Sequence, residues 1–446
     1  MRFVVIGGDA AGMSAASRAK RHQPDMDVVV LEKTGDVSYS ACGMPYAIGD
    51  PQREMDELIV RRADVFRKKQ GIDLLTSHTV KTIDPDNRSV KGTTLSGESF
   101  AYDYDKLLIA TGASAIIPDL PGTGLPGVMA LKNLDEGRRI KNYIGEKKVK
   151  KTMIIGMGYI ALEMCEALRG LGIAVDMIKP RPTFLPWMHP DLSAVIRDEV
   201  EKNEVGVLTG HALQRIEERK DGLAVVCKDE EYPADMVLVA IGVTPNSMLA
   251  ETAGIELSVG SAIAVDKRLR TSADDIFAAG DCADAFDVVT GQKTWVPLAL
   301  RANRAGWAVA DNVCGKDKTL PGIAGTAVFK VFNLEVARTG LTPKSATEAG
   351  FDPVEVMIQT RSRAHGHPGS SPIFVHMVGD QKSGRLLGVQ MVGKDGVAHR
   401  INAPAVALHA GLSVDEFSQS DLAYAPPFGP TWDPMLTAAN QLLKRL

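Results

Sequence analysis

Twice in this chain a short apolar run breaks into a glycine loop and then into a helical pattern. The first instance spans residues 2–6, the loop GGDAAG from Gly7 to Gly12, a helical stretch through Ser14 to Arg21, and an apolar run 28–31 that ends on Glu32. The second spans residues 153–155, the loop GMGYIA from Gly156 to Ala161, a helix to Gly170, and a run 174–178. Each reads as a β-α-β unit. A glycine loop at such a turn lets the backbone approach a pyrophosphate, which sits against free N–H groups of the helix N-terminus. The expected class is therefore α/β, with two Rossmann-like nucleotide sites.

The residues at each loop divide the work. In the first, Gly7, Gly8, Asp9, Ala10, Ala11 and Gly12 would face the nucleotide, with Asp9 where a middle glycine is usual. Glu32, about 20 residues after Gly12, is placed to accept hydrogen bonds from a ribose. In the second, Gly156 and Gly158 fit, followed by Tyr159 and Ile160, and Ala161 replaces the third glycine. The position matching Glu32 is Lys179, followed by Arg181. Basic groups there suit the 2′-phosphate of NADPH, whereas a carboxylate would suit NADH. The expectation leans to NADPH, with NADH as the alternative.

At 446 residues the chain is long enough for about two to four domains. Its formal net charge of -4 offers polyanions no attraction, so nucleic acid is not an expected partner. No apolar run nears the roughly 20 residues of a membrane span, and glycines arrive too early for a signal peptide. A cytoplasmic location is expected. The five cysteines, Cys42, Cys165, Cys227, Cys282 and Cys314, show neither CxxC nor Cys/His ligand spacing, so neither a disulfide framework nor a metal site is expected. Beyond Thr326 the glycine loops stop. Strands at 327–332, 372–377 and 386–392 and helices at 403–410 and 434–443 suggest an α+β domain.

The segment SYSACGMPYAIGD, from Ser38 to Asp50, follows the first β-α-β unit directly. Its Cys42 offers a nucleophile if its thiolate is stabilised by a helix N-terminus or an electron-poor ring. Together with GGDAAG and Glu32, ATGA at 110–113, GMGYIALE at 156–163, TSADDIFAAGDCAD at 271–284, PLALRANRAG at 297–306 and DLAYAPPF at 421–428, this segment makes the chain resemble the pyridine nucleotide-disulfide oxidoreductases. It is most similar to their single-cysteine branch, which holds coenzyme A-disulfide reductases, persulfide reductases, NADH oxidases and peroxidases.

The resemblance implies FAD in the first site and NAD(P)H in the second, with Cys42 carrying sulfur chemistry beside the flavin. It implies FAD contacts from the first loop, Glu32, Lys33, Ser40, Val80, Thr111, Gly112, Gly280, Asp281, Pro297, Leu298 and Ala299, with Asp281 on the ribityl chain. It implies NAD(P)H contacts from the second loop, Glu163, Lys179 and Gly242. It implies domains at 1–115 and 245–325 (FAD), 116–244 (NAD(P)H) and 326–446 (dimerisation), in a homodimer where Tyr424 reaches the partner's flavin. Tyr424 could then protonate a leaving thiolate. Where classical members carry a second thiol, the chain has Ala47, so no internal disulfide is expected.

Oxidases and peroxidases of the branch place a histidine where this chain has Ala10, which weakens that reading. Coenzyme A-disulfide reductases place basic and polar groups near the cysteine. The matches are Ser14, Arg18, Arg21, Ser38, Lys69, Asn303 and Trp432. A tyrosine pair is usual, but the YYPG-like stretch reads AHGHPG, where His365 or His367 stands in its place. The expected activity is NAD(P)H-dependent reduction of coenzyme A disulfide or of a related persulfide or polysulfide. With no rhodanese-like domain after the third domain, a sulfur carrier is expected in trans. The alternatives are an oxidase or peroxidase, or a reductase of a ferredoxin- or rubredoxin-like carrier.

Overall fold

The structure is a computed structural model describing residues 1–446. Three five-stranded sheets organise it. In the first, the order is Ile276–Ala278, Lys106–Ile109, Arg2–Ile6, Asp27–Leu31, Asp73–Leu75, all parallel. Phe3, Val4 and Val5 are fully buried, as expected for a central parallel strand covered on both faces. The second sheet repeats the plan: Gly206–Thr209, Ala174–Lys179, Lys151–Ile155, Met236–Val239, Val128–Ala130.

In both sheets the first strand of the β-α-β unit is flanked by later strands on either side. Strand order therefore reverses there, and such a point opens a crevice at the carboxyl ends of the strands, where each glycine loop lies. The chain leaves the first sheet, builds the second, and returns to add Ile276–Ala278. The two crossing segments are paired, Ala113–Ala115 antiparallel to Val243–Pro245. Thr111 Oγ1 donates to the Asn246 carbonyl at 2.6 Å, and Asn246 Nδ2 donates back to the Thr111 carbonyl at 2.8 Å.

The third sheet is antiparallel, in the order Ala327–Val331, Leu334–Gly340, Leu386–Gly393, Pro372–Asp380, Pro353–Arg361. Two of these strands, Leu334–Gly340 and Pro353–Arg361, go beyond the sequence expectation. Their apolar residues are interrupted by Glu335, Arg338, Glu355, Gln359 and Arg361, so no continuous run marks them. Helices Asn402–Ala410 and Pro434–Leu443 complete this part. One apolar core joins Leu162 and Cys165 of helix Tyr159–Gly170 to Phe329, Val331 and Val336, so the third sheet packs on the second nucleotide unit. No helix is long and apolar enough to cross a membrane.

Candidate active site

The glycines of the first loop are required by space as well as by conformation. A Cβ on Gly7, whose φ is +111°, would lie 2.2 Å from the Ala110 carbonyl oxygen, and one on Gly12 would lie 1.9 Å from that of Gly7. The second loop repeats the first contact: a Cβ on Gly156 would lie 2.2 Å from the Ala240 oxygen, while one on Gly158 would project into open space. Neither Asp9 nor Gly158 caps its helix through a side chain, so the leading N–H groups of Ala10–His22 and Tyr159–Gly170 stay available to an anion. Both cradles fit a dinucleotide pyrophosphate.

Glu32 is buried at the first loop. Its Oε2 accepts the Gly8 N–H at 2.7 Å, and its Oε1 accepts the Thr34 N–H at 2.7 Å and hydroxyl at 2.8 Å. Lys33 beside it is exposed. Ala11 packs against Gly280, where an added Cβ would stand 3.1 Å from the Ala11 Cβ, so GGDAAG and the Gly280–Asp281 turn converge. Asp281 Oδ2 pairs with Lys132 Nζ at 3.0 Å, and the Asp281 carbonyl accepts the Trp295 indole N–H at 2.8 Å. Burial pushes the Asp9 carboxyl up to about 6, against the hydrogen bond from the Tyr39 N–H. Half-buried Pro297 and Leu298 lead into Ala299, the first residue of helix Ala299–Val313. Ser40 is exposed just before the cysteine turn, Val80 is buried in strand His78–Asp84, and Gly112 (φ +69°) follows Thr111 at the crossing.

At the second loop, Tyr159 lies edge-on to Trp187, with ring centroids 5.2 Å apart, and Ile160 is half-buried. Lys179 ends the second strand of its sheet, as Glu32 follows that of the first. Its Nζ donates to the Thr183 carbonyl at 2.9 Å; burial, then the neighbouring Arg181, lower its pKa. Gly242, at φ +131°, precedes the crossing strand Val243–Pro245.

Cys42 lies in a tight turn, Ala41–Gly43, that runs straight into helix Met44–Ile48. It is exposed, whereas Cys165, Cys227 and Cys282 are buried; all five thiols are free, and Ala47 is fully buried. The Tyr46 hydroxyl donates to Glu163 Oε1 at 3.0 Å. Burial raises the Glu163 pKa against that hydrogen bond. Partial enclosure by its surroundings and then the Glu163 carboxylate push the Cys42 thiol up, opposed by Lys132.

Sequence reasoning missed Lys132 and Tyr46. Tyr46 stands four residues after Cys42, a spacing that returns to one helical face and could have drawn it in. Lys132 reaches Asp281 only through the fold and carries no local signal.

The candidate substrate residues are partly gathered. Ser14 Oγ donates to Asn303 Oδ1 at 2.7 Å. Arg18 makes two hydrogen bonds to Asp311, both 2.9 Å, and lies 5.3 Å above the Trp307 ring, so its guanidinium is largely committed within the chain. Arg21 and Lys69 are exposed, and half-buried Ser38 adopts a left-handed φ of +50°. Tyr424 and Trp432, 49% and 63% exposed, stand on the C-terminal part. The Ala364 N–H donates to the Pro426 carbonyl at 3.2 Å, bringing the turn with His365 and His367 onto the Tyr424 segment.

Comparison with known proteins agrees with this architecture. Residues 1–306 match the family described as pyridine nucleotide-disulphide oxidoreductase, and residues 326–435 match its dimerisation domain. The chain is 38% identical over 441 residues to a protein of Pyrococcus horikoshii named NAD(P)H coenzyme A polysulfide/persulfide reductase, covering 99% of this chain and 98% of that one. It is 34% identical to a protein of Methanocaldococcus jannaschii named NADH oxidase, covering 100% and 99%. The solved NAD-dependent persulfide reductase from A. fulgidus superposes with a TM-score of 0.96 at 36% identity, covering 100% of this chain and 83% of that one. With both glycine cradles, the cysteine turn and the antiparallel C-terminal sheet accounted for, the chain belongs to the pyridine nucleotide-disulphide oxidoreductases.

Proposed function

We propose that the chain uses NAD(P)H and FAD to reduce coenzyme A disulfide or a related persulfide or polysulfide. The observation that carries this reading is the one exposed thiol, Cys42, on a turn tied to the second nucleotide unit through Tyr46 and Glu163, with Ala47 where a second thiol would stand. FAD held there would supply the two-electron redox chemistry that links NAD(P)H to sulfur. Gly7, Gly8 and Gly12 admit its pyrophosphate, Glu32 its ribose, and Lys132 and Asp281 its polar chain.

Cys42 performs the exchange. Its thiolate attacks one sulfur of the acceptor, forms a mixed disulfide or persulfide on Sγ, and expels the other sulfur as thiolate or sulfide. Two electrons and two protons then cleave the Sγ–S bond, returning Cys42 to the thiol and releasing the second sulfur as thiol or sulfide. Tyr424 of the partner subunit donates the proton to the leaving sulfur, and Ser14, Asn303, Arg21 and Lys69 receive the coenzyme A moiety. Lys179 and Arg181 favour NADPH. The segments 1–115 and 245–325 act as the FAD domain, 116–244 as the NAD(P)H domain and 326–446 as the dimerisation domain. Five unpaired cysteines suit a reducing cytoplasm.

A second reading, oxygen reduction, has the NADH oxidase relative in its favour. Ala10 leaves no histidine at the first loop to assist it. Anaerobic turnover with coenzyme A disulfide or persulfide separates the two: the proposal expects thiol or sulfide release in step with NAD(P)H oxidation. Oxidation that occurs only with oxygen would overturn it.

A further inference from the structure

Away from Cys42, two histidines and a glutamate meet where the second nucleotide unit rests on the antiparallel sheet. His189 precedes helix Pro190–Lys202, Glu355 lies on strand Pro353–Arg361, and His376 lies on the neighbouring Pro372–Asp380. One potential ligand atom from each lies within 4.8 Å of the other two. We propose that His189, Glu355 and His376 bind one divalent transition-metal ion of the zinc type, which clamps the second nucleotide unit to the dimerisation sheet.

The donor set suits such an ion. Two imidazoles and a carboxylate, completed by water, form a common open site for zinc and its neighbours. Ligands about 2.1 Å from a shared ion stand roughly 3.4 Å apart, so small side-chain rotations suffice. His376 Nε2 is already 2.6 Å from Glu355 Oε2, and the His189 and His376 rings lie 4.6 Å apart between centroids. Cross-strand register explains the first contact. Glu355 pairs with Val378 and Met357 with His376, so Glu355 and His376 are diagonal neighbours on one face.

Hydrogen bonding within the chain pairs His376 Nε2 with Glu355 but leaves one nitrogen of the cluster unsatisfied. His376 is 1% exposed, yet its Nδ1 has no partner, a costly condition for an interior polar atom. His189 is held in place on its other side. Its backbone N–H donates to Gln390 Oε1 at 2.7 Å, its Nδ1 accepts the Asp191 N–H at 3.3 Å, and the Asp191 carboxylate lies 3.8 Å from the same nitrogen. On metal binding the proton would move to Nδ1, which would turn from the Asp191 N–H to the Asp191 carboxylate, the usual support of a metal-bound histidine, and Nε2 would be left for the ion.

The clamp would also steady the second glycine loop. Gln390, paired with His376 across the sheet, donates from Nε2 to the Trp187 carbonyl at 2.9 Å, and Trp187 packs edge-on against Tyr159. Sequence spacing gives no sign of the site because its ligands come from three distant segments.

The test is calorimetric titration of Zn2+ into tag-free, flavin-loaded protein after chelator treatment, with wild type, Glu355→Gln, His189→Gln and Cys42→Ser compared. The expected result is one saturable equivalent per chain, a higher Tm on binding, affinity weakened at least about tenfold in Glu355→Gln and His189→Gln, and the site retained in Cys42→Ser. Glu355 is partly exposed, so its isosteric replacement leaves packing intact, which circular dichroism checks. No saturable binding, binding unchanged by both ligand substitutions, or binding lost in Cys42→Ser would overturn the proposal.

Discussion

The Tyr46 hydroxyl donates a hydrogen bond to Glu163 Oε1 at 3.0 Å, tying the Cys42 turn to the helix behind the second glycine loop. The electrostatics of the reactive sulfur therefore depend on a residue of the other nucleotide unit. Because the Glu163 carboxylate helps hold the Cys42 pKa above its ordinary value, removing that charge in Glu163→Gln should lower it. The sign is that the Cys42 alkylation rate, followed against pH, reaches half its plateau at a lower pH in the variant. An unmoved midpoint would show that the two groups are not coupled.

Gly12→Ala tests the first cradle. The new Cβ would stand 1.9 Å from the Gly7 carbonyl oxygen, a backbone contact that no rotamer relieves. Overpacking of this kind costs roughly 1–3 kcal/mol and should lower both Tm and the fraction of protein purified with flavin. Gly35→Ala, where an added Cβ meets nothing within 4 Å, is the control and should stay within about 0.5 kcal/mol.

Lys179 and Arg181 define the nicotinamide prediction. The kcat/KM ratio of NADPH to NADH should fall about tenfold or more in Lys179→Glu, as a charge-assisted contact to the 2′-phosphate is replaced by repulsion. A wild type that strongly prefers NADH, with the ratio unmoved by the substitution, would show that this strand end does not face the ribose.

The two β-α-β units were legible in the sequence because a parallel strand buried on both faces is an unbroken apolar run, and the turn after it requires glycine. Cys42 was legible through its neighbours. The antiparallel sheet was only half visible, since charged and polar residues interrupt the apolar pattern of Leu334–Gly340 and Pro353–Arg361. Arg18 shows another limit. The sequence gives no sign of Asp311, to which Arg18 makes two hydrogen bonds in the fold. Lys132 with Asp281 and Tyr46 with Glu163 likewise exist only after the chain has crossed between sheets and returned.

Tyr424 lies far from Cys42 in sequence and stands exposed on the C-terminal part, as a residue contributed to a partner's site would. Subunit exchange between Cys42→Ser and Tyr424→Phe, each inactive alone, should restore activity in heterodimers through one intact composite site. Heterodimers that form and stay inactive would contradict the composite site. Full activity in Tyr424→Phe alone would remove its proton-donor role.

The most direct measurement is sulfur turnover by Cys42→Ser. An alcohol cannot exchange with a disulfide, so NAD(P)H-dependent reduction of coenzyme A disulfide or persulfide should fall at least about a thousandfold, while flavin stays bound and is still reduced by NAD(P)H. Retention of most of that turnover would contradict the account, since no other exposed thiol stands in the chain to carry it.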